Sequence, residues 1–249
     1  MTKPQMKQKL ITFITLIVLW QGVFLILGPQ NYILPSPKNT ALTFIKVFES
    51  GEIIKHIFVS LKRVVIGFTL ASVTGVFLGL ILGYFKKAGS YFHPIVEILR
   101  PIPPIAWIPI AILIFGLGNG SAYFIVFLGA FFPIFTNTFF GVKSLPRVYK
   151  NVALSFEVTK FIFFKKILFY FSLPYIFTGL RIGIGMAWMS VIAAELIGAQ
   201  SGLGYFIQLN RLLLQTEKII IGMILIGMLG YFLNKIISIL EKRLIPWKI

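Results

Sequence analysis

Residues 143–174 read KSLPRVYKNVALSFEVTKFIFFKKILFYFSLP, a basic stretch that lies between two strongly apolar segments. Its cations are Lys143, Arg147, Lys150, Lys160, Lys165 and Lys166. Because so many charges cannot lie in hydrocarbon, we expect this stretch in water on one face of a bilayer. A connection between neighbouring helices needs only about 2–8 residues, and this one has roughly thirty. The extra length predicts a built surface on which a soluble partner docks.

Composition places the chain among the polytopic membrane proteins. Of its 249 residues 57% are hydrophobic and 12% are charged, with a mean hydropathy of +0.91, whereas a soluble domain has about 25% charged residues. The length accommodates about six spans of roughly 20 residues. A net charge of +17 would suggest nucleic-acid binding in a soluble protein. Here we attribute it to Lys and Arg that hold loops on the inner side, and we expect the partner to be a lipid bilayer and not nucleic acid.

The apolar runs predict six spans, at 10–28, 64–84, 95–117, 121–142, 175–198 and 219–240. The first run is longer than the 7–15-residue core of a cleaved signal peptide, which favours a retained anchor. With the basic N-terminus inside, the inner cations outnumber the outer ones, among which Arg63 is counted, by about two to one. That bias predicts that both termini are cytoplasmic and that the chain is a multi-pass protein of a bacterial plasma (inner) membrane.

The largest outer segment is residues 29–62. Its sequence Leu34-Pro35-Ser36-Pro37 is predicted to be non-helical, because a proline pushes the residue before it towards extended geometry. Residues 39–48 and 53–61 mix apolar and charged side chains as short amphipathic helices at the outer interface would. We divide the chain into an N-terminal anchor with this outer segment (1–62), a core transmembrane domain (63–242) and a cytoplasmic tail (243–249).

The second span carries a stripe of small residues at every fourth position. The stripe consists of Gly67, Ala71, Gly75, Gly79 and Gly83. Small residues at this spacing let another helix approach closely, so we expect a packing seam.

The third span contains three prolines near its start, in the sequence Arg100-Pro-Ile-Pro-Pro104. They must interrupt a regular helix there. Irregular backbone at membrane depth is tolerated where protein covers it or where it faces a cavity. This segment is therefore either a hinge or lining of a transport path, or a buried kink. Glu97 and Arg100 are three residues apart and could pair on one helical face.

Ionisable residues inside spans are candidates for function. Arg181 could instead extend to the inner interface, and Glu195 could brace the outer loop 198–204. We name five residues as candidates for the translocation path or a gate: Arg100, Pro103, Trp107, Arg181 and Glu195.

Several chemistries are missing from the sequence. It has no cysteine and no aspartate, and its two histidines, His56 and His93, lie far apart. We therefore expect no metal site and no protease site on this chain. The glycine-rich sequence 198–204 lacks the lysine of a phosphate-binding loop, so we expect no nucleotide site either. These absences favour a passive conduit without enzymatic activity. Its energy would be supplied by the partner that docks on the basic inner segment.

Several phrases of the sequence carry a family resemblance. Residues 151–174 resemble the cytoplasmic "EAA" loop of permeases of binding-protein-dependent ABC importers. The phrases Leu34-Pro-Ser-Pro37, Arg100-Pro-Ile-Pro-Pro104, Gly129-Ala-Phe-Phe-Pro133, Thr178-Gly-Leu-Arg181 and Ala194-Glu-Leu-Ile-Gly-Ala-Gln-Ser-Gly-Leu-Gly204 are similar to the nitrate/sulfonate/taurine branch. The loop departs from the family pattern at Asn151 and Val152, which stand for Glu and Ala, and at Glu157, which stands for glycine. We expect two short helices in it.

The resemblance implies a type I importer fold in a homodimer, with two ATPase subunits inside and a solute-binding protein outside. Mg-ATP would be bound and hydrolysed by the partner and not by this chain. The residues expected to couple the loop to the ATPase are Asn151, Ala153, Phe156, Glu157, Lys165, Lys166, Leu173 and Pro174. Ala153 and Phe156 would pack in a groove of that subunit, with Lys165 and Lys166 at its rim.

Alternative functions remain open at this point. The substrate could be a small anion of the nitrate, sulfonate or taurine type, or a vitamin precursor carried by the same branch. A secondary transporter would need coupling-ion sites built from acids or broken helices in symmetric halves. A scaffold protein could use its basic loop to bind anionic lipids.

Overall fold

The computed structural model describes residues 3–28 and 34–247, and these ranges contain helices and no strand. The helices are α1 Lys3–Leu27, α2 Pro37–Glu49, α3 Glu52–Tyr84, α4 Lys86–Leu99, α5 Ile108–Phe115, α6 Asn119–Lys143, α7 Arg147–Ser155, α8 Lys160–Ile162, α9 Phe169–Gly198, α10 Leu203–Leu212 and α11 Thr216–Leu244. A 3-10 turn, Pro104–Trp107, precedes α5, and a π-helical turn, Phe163–Leu168, makes α8 continuous with α9. The predicted all-α polytopic class is confirmed.

Four helices in the described ranges are long and apolar enough to cross a bilayer: Glu52–Tyr84, Asn119–Lys143, Lys160–Gly198 and Thr216–Leu244. A fifth crossing is possible if Lys87–Leu99 and Pro104–Phe115, which meet at an 88° bend, count as one broken span. The predicted span 10–28 falls on α1, whose apolar part, Ile14–Leu27, is shorter. The count by length is therefore four or five where the sequence predicts about six.

The outer segment differs from the prediction in two details. Pro37 is the first residue of α2, because a proline fits the first helical turn and the Ser36 side chain caps the helix by accepting from the N–H of Asn39. Residues 53–61 do not form a separate amphipathic helix but begin α3, after a turn at Gly51 with a φ of +72°. Helix α3 runs through residues 62 and 63, and the division of the chain at residue 63 stays a prediction. The start of the predicted outer segment, residues 29–33, lies outside the described residues.

Helices α3, α6 and α9 pack together as the centre of the molecule. Their buried residues include Val64 and Ala71 on α3, Val126 and Ile134 on α6, and Ala187 on α9. By contrast, only 17% of the apolar window of α11 is buried. Helix α11 therefore offers most of its apolar surface to lipid or to another chain.

The inner segment 143–174 is more helical than the sequence predicts. Two helices are present, as expected, but the second one does not end before the membrane. It continues through the π-helical turn into α9, so that Lys165, Lys166, Leu173 and Pro174 all lie within the continuous helix Lys160–Gly198. Residues 156–159 are the break between the two helices.

Candidate translocation path and coupling surface

The stripe of small residues on α3 lies against α6. A Cβ added to Gly67, Gly79 or Gly83 would come within 2.7 Å of a side-chain atom of α6. The α6 residues that face these three glycines are Val126, Thr138 and Val142, in that order. Successive glycines of the stripe therefore meet successive positions along α6, and the two helices stay in close contact along most of their lengths.

A second set of glycines brings α9 onto another side of α6. Gly179 and Gly183 of α9 face Ile134, and Gly129 of α6 faces Ser190. Close contact on both sides fixes α6 between α3 and α9. The part of α6 that carries Pro133 then borders a cavity beside the broken span.

The proline-rich segment forms the elbow between α4 and the 3-10 turn before α5. Arg100 is the residue that follows the last turn of α4, and Pro103 precedes the 3-10 turn, in extended geometry with a ψ of 140°. The indole N–H of Trp107 is buried and has no hydrogen-bond partner among the described residues. The expected pairing of Glu97 with Arg100 is wrong, because the Glu97 carboxylate lies 3.6 Å from His93 Nε2 instead. An i,i+4 pair on α4 replaces the predicted i,i+3 pair.

A cavity of about 240 Å³ lies between the elbow, α6 and α9. It is lined by Arg100, Ile102, Pro104, Leu128, Gly129, Phe132, Pro133, Thr136, Asn137, Ile182 and Met186. Pro133 has no N–H, so the carbonyl of Gly129 loses its usual partner in the helix. The cavity therefore combines an arginine, a broken stretch of backbone and two polar side chains within an otherwise apolar bundle.

A buried ion pair closes the end of the bundle that the sequence predicts to be outer. Arg63 Nη1 lies 2.9 Å from Glu195 Oε1, and the two side chains are 3% and 0% exposed. The carboxylate of Glu195 also accepts hydrogen bonds from the hydroxyl of Ser60 at 2.8 Å and from the N–H of Gly204 at 3.0 Å. These partners come from α3 and α10, so Glu195 on α9 ties three helices together.

The same network holds the outer loop 199–202. Arg63 donates to the carbonyl of Ser201 at 2.6 Å and to the side chain of Asn119 at 2.9 Å. The N–H of Gly202 donates to His56 Nδ1 at 3.1 Å. Gly202 has a φ of +109°, and an added Cβ would collide with the Glu195 carboxylate, so only glycine fits there. We call these residues, together with Ser60, Glu195 and Gly204, the outer clamp.

Arg181 and Glu241 form an ion pair towards the inner end of the bundle. The Glu241 side chain is 6% exposed and that of Arg181 is 45% exposed. The pair joins α9 to α11. Arg181 does not line the cavity described above, although the sequence makes it a candidate for the path.

Helix α7 presents an apolar surface at the opposite end of the bundle, which the sequence predicts to be inner. Five of its residues or close neighbours are large, hydrophobic and exposed: Val148, Tyr149, Val152, Leu154 and Phe156. Asn151 and the lysines 165 and 166 are exposed around them. Ala153 points the other way and is buried against Leu80 of α3 and Leu168 of the π-helical turn. Ala153 also lines cavities on both sides of α7, and its contact with a partner subunit stays a prediction.

Helix α7 ends in a Schellman motif whose left-handed residue is Glu157. The N–H of Val158 donates to the carbonyl of Ala153 at 2.9 Å, and that of Glu157 donates to the carbonyl of Leu154 at 3.0 Å. Glu157 has a φ of +50°. Glycine is the usual residue at this position of the motif. The EAA pattern has a glycine at the position of Glu157. The left-handed backbone at this position gives a physical reason for that glycine.

Sequence reasoning misses most of the outer clamp and the polar residues of the cavity. The cation count places Arg63 in an outer loop, although its position beside a long apolar run is a usable signal. Thr136 and Asn137 stand within a predicted span, and polar residues there are a signal as well. No group of His, Asp or Glu side chains in the described ranges could hold a metal ion.

Comparisons with known proteins agree on one family. The profile of the family described as "Binding-protein-dependent transport system inner membrane component" matches residues 71–248. The nitrate import permease protein NrtB of Synechocystis sp. is 36% identical over 254 residues, which cover 98% of this chain and 90% of that protein. A Bacillus subtilis permease provisionally named for aliphatic sulfonates transport, SsuC, is 33% identical over 94% of this chain and 84% of its own length.

A solved structure agrees in fold. The inward-facing MetNI methionine ABC transporter has a chain that matches 79% of this one and 97% of its own length, with a TM-score of 0.69 and 18% identity. At that identity the match concerns the fold alone. Together, the profile, the relatives and the fold show that the chain belongs to the family of inner membrane components of binding-protein-dependent transport systems, as an ABC importer permease of the nitrate/sulfonate branch.

Proposed function

We propose that this chain is the permease subunit of an ATP-driven importer for a small anion of the nitrate or sulfonate type. Two copies would form the path, two ABC ATPase subunits would bind inside and hydrolyse Mg-ATP, and a solute-binding protein would deliver the substrate outside. The names of the relatives support the substrate type. Both termini and residues 143–174 would lie in the cytoplasm, as the distribution of cations favours.

The observation that carries the proposal is the two-sided character of α7. On the side of α7 that faces away from the bundle, Leu154 is 74% exposed and the adjoining Phe156 is 78% exposed. Such exposure is unusual for large apolar residues in a basic, water-facing segment. On the side of α7 that faces the bundle, Ala153 belongs to a buried cluster with residues of α3, α6 and the π-helical turn. A partner that moves α7 would therefore move the inner ends of the central helices with it.

The basic surroundings of α7 favour an acidic partner surface. Lys150 and Lys160 line a cavity of about 560 Å³ beside α7, together with Tyr84 and Phe163. Complementary charges around an apolar centre increase the rate and specificity of docking.

The test compares two substitutions of Phe156 in the complex with the ATPase. Phe156→Asp should leave the permease folded, because the side chain is already exposed, but should abolish co-purification of the ATPase or uncouple ATP hydrolysis from uptake. Phe156→Leu is the matched control and should retain both, since it keeps an apolar side chain. Uptake and ATP hydrolysis are measured in proteoliposomes that contain the solute-binding protein.

Full coupling in the Phe156→Asp complex would contradict the proposed docking surface. Ala153→Asp distinguishes an effect on docking of the ATPase from an effect on the stability of the permease itself. It would bury a charge inside this chain, so it should lower the unfolding temperature of the isolated permease, which Phe156→Asp should not do.

A further inference from the structure

The cavity beside the elbow lies near mid-length of α6 and α9 and opens on the surface of this chain, where Arg100, Ile182 and Met186 are exposed. On α6 its lining begins nine residues after Asn119 and ends six residues before Lys143. At 1.5 Å per residue these distances are about 14 Å and about 9 Å from the two helix ends. On α9 the lining residues Ile182 and Met186 are also central. Arg100 reaches this depth because the chain breaks at the elbow and leaves the arginine beside α6.

Arg100 has no counter-ion in the part of the chain that the structure describes. It takes part in none of the ion pairs found there, and the cavity that it lines contains no carboxylate. An arginine cannot lose its charge in a protein, so it needs water or an anion. Arginines at this depth face a bundle interior or a water-filled cavity and mark ion or substrate pathways.

The polar groups around Arg100 are rich in donors. The hydroxyl of Thr136 is buried without a hydrogen-bond partner among the described residues. Asn137 donates one hydrogen of its amide to the carbonyl of Pro133 at 2.8 Å, which leaves the second one free. One positive charge and two neutral donors suit the oxygens of a nitrate or sulfonate group, and a cation would find no compensating charge.

The size of the cavity limits its occupant. Its volume of about 240 Å³ is below the roughly 300–1,000 Å³ of pockets for drug-sized ligands. An inorganic oxyanion or a short organic sulfonate fits within this volume.

We propose that this cavity is an anion-binding subsite on the translocation path, in which Arg100 binds an oxyanion group and Thr136 and Asn137 donate to its oxygens. The inference rests on the proposed function for the direction of transport and deepens it by assigning the substrate class to named residues. It selects small oxyanions over neutral and cationic solutes.

The test uses charged thiol reagents on a single cysteine, because the native chain has none. Met186 lines the cavity and is 37% exposed, so Met186→Cys places a thiol there. The purified full-length permease is treated with the anionic sulfonatoethyl and the cationic trimethylammonioethyl methanethiosulfonate. We expect the anionic reagent to be favoured about tenfold relative to the same ratio at Ser155→Cys, an exposed control on α7.

Two further variants test whether Arg100 causes the preference. Arg100→Gln should remove it at position 186 and leave the ratio at position 155 unchanged. Asn137→Asp, which keeps Arg100 but adds a negative charge to the cavity, should reduce or reverse it. Sodium nitrate and sodium methanesulfonate should slow labelling at position 186 more than sodium gluconate does at the same ionic strength.

Equal rates of the two reagents, a preference that survives Arg100→Gln, or no labelling by either reagent would overturn the subsite. The labelling needs no ATPase. If the anionic preference is found but no ATPase co-purifies, the subsite stands and the proposed function fails. If the ATPase couples normally and the anionic preference is absent, the proposed function stands and the subsite fails.

Discussion

At the scale of residues, the outer clamp depends on two opposite charges that are both buried. Replacing either Arg63 or Glu195 leaves its partner as an uncompensated charge, which costs about 3–5 kcal/mol. We predict that Arg63→Met and Glu195→Gln each lower the unfolding temperature of the purified protein strongly. The double variant should be more stable than either single one, because the amide oxygen introduced at position 195 can still accept from Ser60 and Gly204 in a neutral site.

A surface ion pair provides the control. Lys218 lies 3.9 Å from Glu52, and both side chains are partly exposed. Lys218→Met should therefore change the free energy of unfolding by less than about 1 kcal/mol. If the double variant of the clamp is no more stable than the more stable of the two single variants, the pair does not couple as described.

At the scale of elements, the seam between α3 and α6 leaves no room for a side chain. An added Cβ at Gly79 would lie 2.7 Å from Thr138 Cβ and 3.0 Å from the carbonyl oxygen of Phe135. Gly79→Leu must therefore push the helices apart, and we predict a large loss of folded, monodisperse protein in detergent. Gly227→Leu on α11 is the matched control, because a Cβ at Gly227 has nothing within 4 Å. Equal yields of the two variants would show that the seam tolerates separation.

Elements with a local signal can be predicted from the sequence, and contacts between distant segments cannot. The four-residue repeat from Gly67 to Gly83 and the prolines at the elbow are features of one helix each, so they are visible directly. The orientation of Ala153 depends on how α7 lies against α3, which no local pattern encodes. The predicted partner of Glu97 is wrong because both Arg100 and His93 lie at helical spacing from it. Spacing alone therefore does not decide between them.

At the scale of the whole molecule, the proposed function needs two different surfaces on opposite sides of the membrane. We predict that a membrane-impermeant thiol reagent applied to intact cells labels Gln200→Cys and does not label Ser155→Cys until the cells are opened. Gln200 suits this test because it is exposed, whereas the neighbouring Ser201 is held by Arg63. Labelling in the reverse pattern would place α7 outside and contradict docking of an ATPase there.

The outer clamp also has a consequence for the time course of biosynthesis. Arg63 and Glu195 are 132 residues apart in the chain. At 5–20 residues per second, roughly 7 to 26 seconds separate their synthesis. During that interval α3 is already made, but its arginine has no carboxylate to meet. This end of the bundle can close only when α9 has been inserted and α10 has followed, so a chain truncated before Glu195 would keep the seam between α3 and α6 yet leave Arg63 without its carboxylate.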